Sequence, residues 1–334
     1  MTTSSIPLPL ALLGVWHVHA DGYAAEAAEH PETRLDAVWD PDPTAAHEAA
    51  ARFGTDAATD LEQLLAREDL AGVIVTTATA EHHDVIGRAL RAGKAVFTEK
   101  LLAPTTEEAE DLVRLAGQHG VPLLVSLPRL GEGPVLAAAR LVDTGALGDV
   151  TYARFRMAHD GWVNGWLPDR FGDRAAAVGG ALTDLGAHPT YLVQRFLGAR
   201  PATVQATYTS VSGHEVEDNA VVTVTYPGGA IGVIEASNVT VPGASAFELR
   251  GTRGTLLYGF GGERLLGKGD AFDGGGWVEV PLPESAPSPF RQWVAAIRAG
   301  TSTAGNLQAA VELTRLVTAA NRVAEAGAPV LAGA

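Results

Sequence analysis

Cysteine is absent from the 334-residue sequence, and this absence removes several kinds of chemistry at once. Without a thiol, the chain can form no disulfide, hold no cysteine-ligated zinc or iron–sulfur cluster and use no thiolate nucleophile. A chain without cysteine also suits a reducing compartment, and we expect the protein in the cytoplasm.

Basic residues are scarce as well. Lysine and arginine total 24 against 39 aspartates and glutamates, which gives a formal net charge of −15. No basic run offsets this charge, so the phosphates of nucleic acid or of an anionic membrane would be repelled. We therefore expect no nucleic-acid partner and no membrane partner.

Long apolar stretches are also missing, because no run is long enough to cross a bilayer. The apolar run over residues 8–14 has no basic segment before it and no small-residue cleavage site after it. It predicts a buried first strand rather than a signal peptide. Apolar residues still make up 46% of the chain, and its length fits two domains better than one.

Short apolar runs alternate with helical patterns in the first part of the chain. Runs that are apolar at nearly every position are typical of parallel strands buried on both faces. Gly54, Gly93 and Gly120 mark helix ends, and Thr105 with Glu108 has the spacing of a capping box. The alternation predicts an α/β fold with a doubly wound parallel sheet of Rossmann type, over residues 1–126. The predicted strands cover residues 8–14, 34–40, 71–77, 94–99 and 121–127.

The rest of the chain, residues 127–334, predicts a second α/β domain with a mostly antiparallel open sheet. Its strands are joined by tight turns, which is typical of a meander. A helix is predicted over residues 180–197, and the glycine-rich stretch 259–276 is predicted to be a loop. An open sheet needs covering, so we expect its far face to pair with a second subunit in a homodimer or homotetramer.

The first strand ends at Gly14, and a helix is predicted from about Ala20. In a Rossmann unit, such a turn places a pyrophosphate at the helix N-terminus, where N–H groups and the helix dipole favour an anion. Only the first glycine of the usual G-x-G-x-x-G fingerprint is present, so an ordinary strand–helix turn is the alternative. The candidate residues for binding a dinucleotide here are Gly14, Val15, Trp16 and His17.

Asp40, at the end of the second strand, favours the dinucleotide interpretation. An acidic group there can bind the adenosine ribose and would repel a 2′-phosphate, so the prediction is NAD rather than NADP. The alternative is that Asp40 and Asp42 are solvated turn residues. Trp16 and His19 replace glycines, so either the cofactor is displaced with Trp16 covering it, or binding is weak.

His17 and His19 alternate in the first turn and could suggest a metal site. A metal site needs further ligands, and no third histidine lies near these two in the sequence. We therefore predict that the protein holds no metal.

At Glu99 and Lys100, and over most of its length, the chain resembles the Gfo/Idh/MocA oxidoreductases, a family of sugar and inositol dehydrogenases. The most specific segment is residues 179–188, which read GGALTDLGAH. Leu101 stands where the family has a proline, and Tyr191 stands where it frequently has an aspartate. The other matching segments are Asp40–Pro43, Thr77–His82, Ala92–Lys94 and Thr144–Gly148.

The resemblance implies a catalytic set of Lys100, Asp184 and His188, and it places Glu99 near the nicotinamide ribose. It also implies that Thr77 and His82 lie near the cofactor, although a structural histidine is an equal alternative for His82. The chemistry of the set agrees, because an imidazole can exchange a proton near neutral pH and an ammonium can stabilise an alkoxide.

A helix over residues 180–197 would place Asp184, His188 and Tyr191 on one face, and Tyr191 is a candidate substrate contact. The alternative is a polar face directed at water. The segment 159–166 carries groups that suit a sugar, and its alternative is a packed loop. The substrate candidates in that segment are Trp162, Asn164 and Trp166.

The resemblance implies an NAD(P)-dependent oxidoreductase that transfers a hydride between a nicotinamide and a CH–OH carbon of a sugar, inositol or similar polyol. One alternative is an enzyme that oxidises a sugar transiently and recycles its cofactor during elimination, epimerisation or glycoside cleavage. The other is a binding protein for NAD or sugars that has lost its catalytic activity.

Overall fold

The computed structural model describes residues 6–272, 275–327 and 330–331. The chain divides into two compact units, the first formed by Met1–Ser126 with Ser288–Val311 and the second by Leu127–Pro287 with Glu312–Ala334. Residues 288–311, which the sequence analysis assigns to the second domain, therefore pack with the first unit.

Strands and helices are numbered along the chain. The strands are β1 (Leu8–Leu13), β2 (Thr33–Trp39), β3 (Asp56–Ala58), β4 (Gly72–Val75), β5 (Ala95–Thr98), β6 (Leu123–Val125), β7 (Val150–Ala158), β8 (Thr203–Thr209), β9 (Asn219–Thr225), β10 (Ile231–Ser237), β11 (Ala244–Gly251), β12 (Gly254–Tyr258), β13 (Leu265–Gly269), β14 (Val278–Val280) and β15 (Val330–Leu331). The helices are α1 (Ala20–Glu29), α2 (Pro43–Phe53), α3 (Leu61–Leu65), α4 (His82–Arg91), α5 (Thr106–His119), α6 (Gly133–Asp143), α7 (Arg174–Ala177), α8 (Ala187–Leu197), α9 (Pro289–Ala299) and α10 (Ala304–Ala326).

The first unit is built on a parallel sheet of six strands in the order β3-β2-β1-β4-β5-β6. This order is that of doubly wound dinucleotide-binding folds, which confirms the predicted Rossmann sheet. Strands β4, β5 and β6 are buried at every position, as their apolar runs predict. The carboxyl ends of these strands lie along one edge of the sheet, where open α/β folds bind ligands.

Local sequence signals set the helix ends in this unit. Asp42 caps α2 by accepting a hydrogen bond from the Thr44 N–H, and Gly54 ends it in the left-handed conformation. The predicted capping box of Thr105 and Glu108 is present at the start of α5, which ends at Gly120. These caps satisfy backbone groups that a helix end otherwise leaves unpaired.

Aromatic rings from the C-terminal part of the chain complete the core of the first unit. Phe290 and Trp293 of α9 are fully buried, and the Trp293 ring centroid lies 5.9 Å from that of Phe97 in β5. A Cβ atom on Gly72 would lie 2.9 Å from the Trp293 ring. The residue at this position in β4 therefore has to be small for the indole to fit.

The second unit contains, within the described residues, a sheet of nine strands in the order β14-β13-β12-β11-β7-β10-β9-β8-β15. Only β7 and β10 pair in parallel, which confirms the prediction of a mostly antiparallel sheet. Helix α8 packs on this sheet, since a Cβ on Gly232 of β10 would lie 2.6 Å from Val193. The stretch 259–276, predicted to be a loop, contains β13; residues 273–274 of it lie outside the described part of the chain.

The helix predicted over residues 180–197 begins only at Ala187, and residues 181–186 form turns. Gly180 and Gly186 give this segment low helix propensity. Asp184 therefore precedes the helix, so the prediction that it shares a helical face with His188 is wrong. Pro189 falls in the first turn of α8, where its missing N–H costs no helical hydrogen bond.

Within the described ranges, no helix is both long and apolar enough to cross a bilayer.

Candidate active site

The turn after β1 is held tightly against the end of β4. Gly14 has φ +83°, and a Cβ atom there would lie 2.5–2.6 Å from atoms of Thr77. The His17 N–H donates to the Thr76 carbonyl at 3.0 Å. The first glycine of the fingerprint is therefore required by both backbone conformation and space.

Asp40 follows β2 and is hydrogen-bonded to the same turn. Its Oδ2 accepts from the Val15 N–H at 2.8 Å, and its Oδ1 accepts from the Asp42 N–H at 2.9 Å. The half-buried carboxylate thus lies beside the turn, where an acidic group can meet an adenosine ribose. Asp42 itself caps α2, so of the two acids only Asp40 reaches the turn.

Glu99, at the end of β5, is the centre of a buried polar cluster. Its Oε1 accepts hydrogen bonds from the Tyr23 hydroxyl and from His19 Nδ1, the latter at 2.8 Å. Its Oε2 lies 3.4 Å from Lys100 Nζ and 3.9 Å from His17 Nε2. Lys100 Nζ is also 3.3 Å from His17 Nε2, so the ammonium stands between the carboxylate and the first turn.

Electrostatics keep Glu99 ionised although its side chain is only 1% exposed. Burial by itself would raise the pKa of Glu99, but the Lys100 ammonium and the imidazoles of His17 and His19 hold it well below its usual range. Burial, with Glu99 next to it, raises the pKa of Tyr23 well above its ordinary value. The tyrosine therefore stays a neutral hydrogen-bond donor to the carboxylate.

The prediction of no metal at His17 and His19 rests on the lack of a third ligand near them in the sequence. The structure supplies such a ligand from a distant part of the chain. Glu99 is 80 residues from His19 in sequence, yet the ligand atoms of the three residues all lie within 4.8 Å of one another. Two histidines and a carboxylate are a set that could hold a metal ion. Lys100 Nζ already supplies a positive charge at this position, so a metal would have to compete with the ammonium.

His82 and Thr77 lie near this cluster, His82 close to His17 and Glu99 and Thr77 against Gly14. His82 Nδ1 is 2.7 Å from the Leu101 carbonyl, and burial lowers the pKa of His82 to about 4. The imidazole is thus neutral and fixes the chain after Lys100, whose peptide bond to Leu101 is cis. Among the described residues, neither His82 Nε2 nor Thr77 Oγ1 has a hydrogen-bond partner.

These features fit a bound dinucleotide. Helix α1 begins directly after the Gly14 turn, and its N-cap residue, His19, makes no side-chain cap hydrogen bond. An uncapped helix N-terminus after a glycine turn suits a phosphate. Thr77 Oγ1, a buried polar atom beside Gly14, is available to a ligand.

In the second unit, His188 is the second residue of α8 and is 6% exposed. Its Nδ1 lies 2.9 Å from the Tyr191 hydroxyl, and the Tyr191 oxygen accepts from the Arg129 N–H at 3.1 Å. Tyr191 is only 2% exposed. The Tyr191 hydroxyl is thus hydrogen-bonded to the imidazole, and its contact with a substrate stays a prediction.

The segment 159–166 folds into a turn around Asp160. The Asp160 carboxylate accepts hydrogen bonds from Asn164 Nδ2 at 2.7 Å and from Trp166 Nε1 at 2.8 Å, and the latter bond lowers the pKa of Asp160. Trp162 stacks on His214 with ring centroids 4.1 Å apart. The predicted substrate groups on Asn164 and Trp166 are thus used inside the loop, and their contact with a sugar stays a prediction.

Tyr23 was not predicted from the sequence, and Asp160 was predicted only as part of the segment 159–166. The signal for Tyr23 was its position four residues after His19, since such a spacing places both side chains on one face of α1. The signal for Asp160 was weaker, because an acid two to six residues from amide and indole donors is common in loops.

Comparison with known proteins identifies the class to which this architecture belongs. Residues 10–127 match a model described as an oxidoreductase family with an NAD-binding Rossmann fold, and residues 135–257 match the GFO/IDH/MocA C-terminal domain. The chain belongs to the GFO/IDH/MocA oxidoreductase family.

The individual proteins to which this chain is similar include enzymes named for a carbohydrate. A dTDP-3,4-didehydro-2,6-dideoxy-alpha-D-glucose 3-reductase of Saccharopolyspora spinosa is 31% identical over 238 residues, which cover 68% of this chain and 67% of that protein. GenD2 from gentamicin A biosynthesis, solved with NAD, is 27% identical with a TM-score of 0.83, covering 99% of this chain and 98% of that one. A levoglucosan dehydrogenase solved with NADH and levoglucosan shares the fold, with a TM-score of 0.84 at 20% identity over 98% of this chain and all of that one. In two other curated relatives, the matched region spans about half of the protein, 56% and 49%.

Gly14→Ala tests the geometry of the first turn. We expect the Kd for NADH to rise at least about tenfold, because the new methyl group meets Thr77 and the positive φ costs about 1–2 kcal/mol for a residue with a Cβ. NADH fluorescence titration measures the change. Gly22→Ala in α1 is the control, because a Cβ there meets nothing within 4 Å. Equal NADH affinities for the two variants would remove Gly14 from the binding site.

Proposed function

We propose that this protein is an NAD(H)-dependent oxidoreductase that transfers a hydride between the nicotinamide and a CH–OH carbon of a sugar, inositol or related polyol. The observation that carries the proposal is the buried Lys100 ammonium beside Glu99, at the carboxyl end of β5 in the unit that contains the Gly14 turn. The name of the 31% identical relative, a reductase of a dTDP-linked dideoxyglucose, supports the same substrate class.

Oxidation of an alcohol removes a hydride and a proton, which need separate acceptors. NAD⁺ accepts the hydride when it is bound. We assign Lys100 to the reacting oxygen, because an ammonium can donate a hydrogen bond there and stabilise developing alkoxide charge. We assign His188 to the proton, because an imidazole can take and return a proton near neutral pH.

Asp184 and Tyr191 have supporting roles in this proposal. Asp184 is half-buried in the turn before α8, and its carboxylate can accept a hydrogen bond from a substrate hydroxyl. Tyr191 is a positioning residue, because its hydroxyl is shared between His188 Nδ1 and the Arg129 N–H. Asp40 beside the first turn favours NAD over NADP, since its carboxylate would repel a 2′-phosphate.

The direct test is NADH formation from NAD⁺ with a panel of sugars, inositols and anhydrosugars. We expect at least one member to support turnover and Lys100→Met to lower kcat about 10²–10³-fold, with little change in the Kd for NADH. Lys100→Arg is a second variant that keeps a positive charge beside Glu99. Lys268→Met is the matched control, because Lys268 is exposed on β13.

The same assay separates the rival functions. Substrate conversion without net NADH would indicate that the cofactor is recycled during elimination, epimerisation or glycoside cleavage. NADH binding without conversion of any panel member would indicate a binding protein. Unchanged kcat in both Lys100 variants would remove this lysine from the mechanism.

We further propose that the sheet face opposite α8 pairs with a second copy of this chain. Val221 and Ile231 on that face are 45% and 40% exposed, and Arg154 beside them makes a two-bond ion pair with Glu235 at 2.9 Å. Exposed aliphatic residues in the middle of an open sheet are typical of an interface. Light scattering should give the mass of a dimer or tetramer, and Val221→Lys should shift it towards the monomer. A monomeric wild-type protein at micromolar concentration would contradict this proposal.

A further inference from the structure

The turn that carries Asp184 is attached to one residue far away in the sequence. Three consecutive amides of the turn donate to Glu217, which lies just before β9. Gly180 N–H donates to Oε2 at 3.0 Å, and Leu182 N–H donates to Oε1 at 2.9 Å. Between them, Ala181 N–H donates to the backbone carbonyl of Glu217 at 2.8 Å.

The attachment depends on close approach of two backbones. A Cβ atom on Gly180 would lie 2.0 Å from the Glu217 carbonyl oxygen, so a side chain at this position would push the two segments apart. Glycine at residue 180 is therefore required by space, although its φ is not in the left-handed region. This contact explains why the segment forms turns, since its amides are satisfied outside a helix.

The attached residues in turn hold the rest of the turn. The Asp184 N–H donates to the Gly180 carbonyl at 3.0 Å, and the Gly186 N–H donates to the Ala181 carbonyl at 2.7 Å. Gly186 is the N-cap residue of α8, on which His188 is the second residue. The positions of Asp184 and His188 thus follow from Gly180 and Ala181, two of the three residues that donate to Glu217.

Both carboxylate oxygens of Glu217 act as acceptors, and an ionised carboxylate accepts at both oxygens without carrying a donor. Glu217 is 7% exposed, and burial raises its pKa, while the bonds from Leu182 and Gly180 counteract that rise. A carboxamide at this position would accept from only one of the Gly180 and Leu182 N–H groups. It would place its own NH2 group, which is a donor, against the other N–H group. A glutamine of the same shape therefore cannot replace the contact.

We propose that Glu217 is a positioning residue that sets the geometry of Asp184 and His188 by fixing the backbone of residues 180–182. The consequence for turnover rests on the proposed function, whereas the consequence for the backbone does not. The turn has a second contact that does not involve Glu217, since Asn321 Nδ2 donates to Thr183 Oγ1 at 3.3 Å.

The test compares Glu217→Gln with Glu215→Gln in the whole chain. Glu215 lies two residues away and is exposed, and its carboxylate accepts a long 3.4 Å bond from the Arg174 N–H. Its backbone carbonyl, which the change keeps, accepts from Arg174 Nη2 at 2.9 Å. Hydrogen–deuterium exchange of the free protein is read on peptides covering residues 179–188. We expect at least about tenfold faster exchange at these amides in Glu217→Gln and wild-type exchange in Glu215→Gln.

Turnover is read on the same proteins. We expect kcat to fall about tenfold or more in Glu217→Gln while the Kd for NADH stays within about twofold, because the bonds lost lie in the second unit. Gly180→Ala is a second variant, in which the new methyl group would clash with the Glu217 carbonyl oxygen. It should reproduce both the faster exchange and the lower kcat. Unchanged exchange at residues 179–188 in both variants would overturn the proposal, as would faster exchange with unchanged kcat. If no panel substrate is turned over, the exchange result still decides the role of Glu217 in the backbone.

Discussion

A buried negative charge at Glu99 is the constraint on which the nucleotide-binding unit depends. A carboxylate that is 1% exposed is costly unless opposite charge and hydrogen-bond donors surround it. Lys100, just after β5, supplies the opposite charge. His19 and Tyr23, at the start of α1, supply the hydrogen bonds. The same requirement places an ammonium at the carboxyl edge of a parallel sheet, where it can serve a reacting oxygen. Structure and proposed chemistry therefore share one interaction.

The incomplete glycine fingerprint is compatible with this arrangement. The turn strictly requires a glycine at residue 14, because φ is positive there and Thr77 lies directly against the residue. His19, which stands where the fingerprint has its last glycine, directs its imidazole to Glu99, and the His17 imidazole lies beside the same carboxylate. The His19 side chain, although larger than glycine, makes no cap hydrogen bond at the N-terminus of α1. The departure from the motif changes which groups surround the site, and the turn itself is retained.

Local signals predicted most of the fold, and non-local contacts decided the rest. Apolar runs and capping residues gave the order of elements in the first unit because strands buried on both faces and capped helix ends depend on short segments. The helix predicted from residue 180 failed because Glu217, 35 to 37 residues away, takes the amides that a helix would use. Glu99 was predicted near the cofactor, but its contact with His17 and His19 joins β5 to the turn after β1. Sequence spacing carries no information on such a contact.

Measuring the coupling free energy between Glu99 and Lys100 is the most direct test of this account. Urea unfolding of wild type, Glu99→Gln, Lys100→Met and the double variant gives the free energies of a double-mutant cycle. Each single change should cost about 3–5 kcal/mol, because it leaves one buried group without its partner, and the double change should cost clearly less than the sum. Additive costs would show that the two groups do not depend on each other, and the buried pair could not then be the basis of the site.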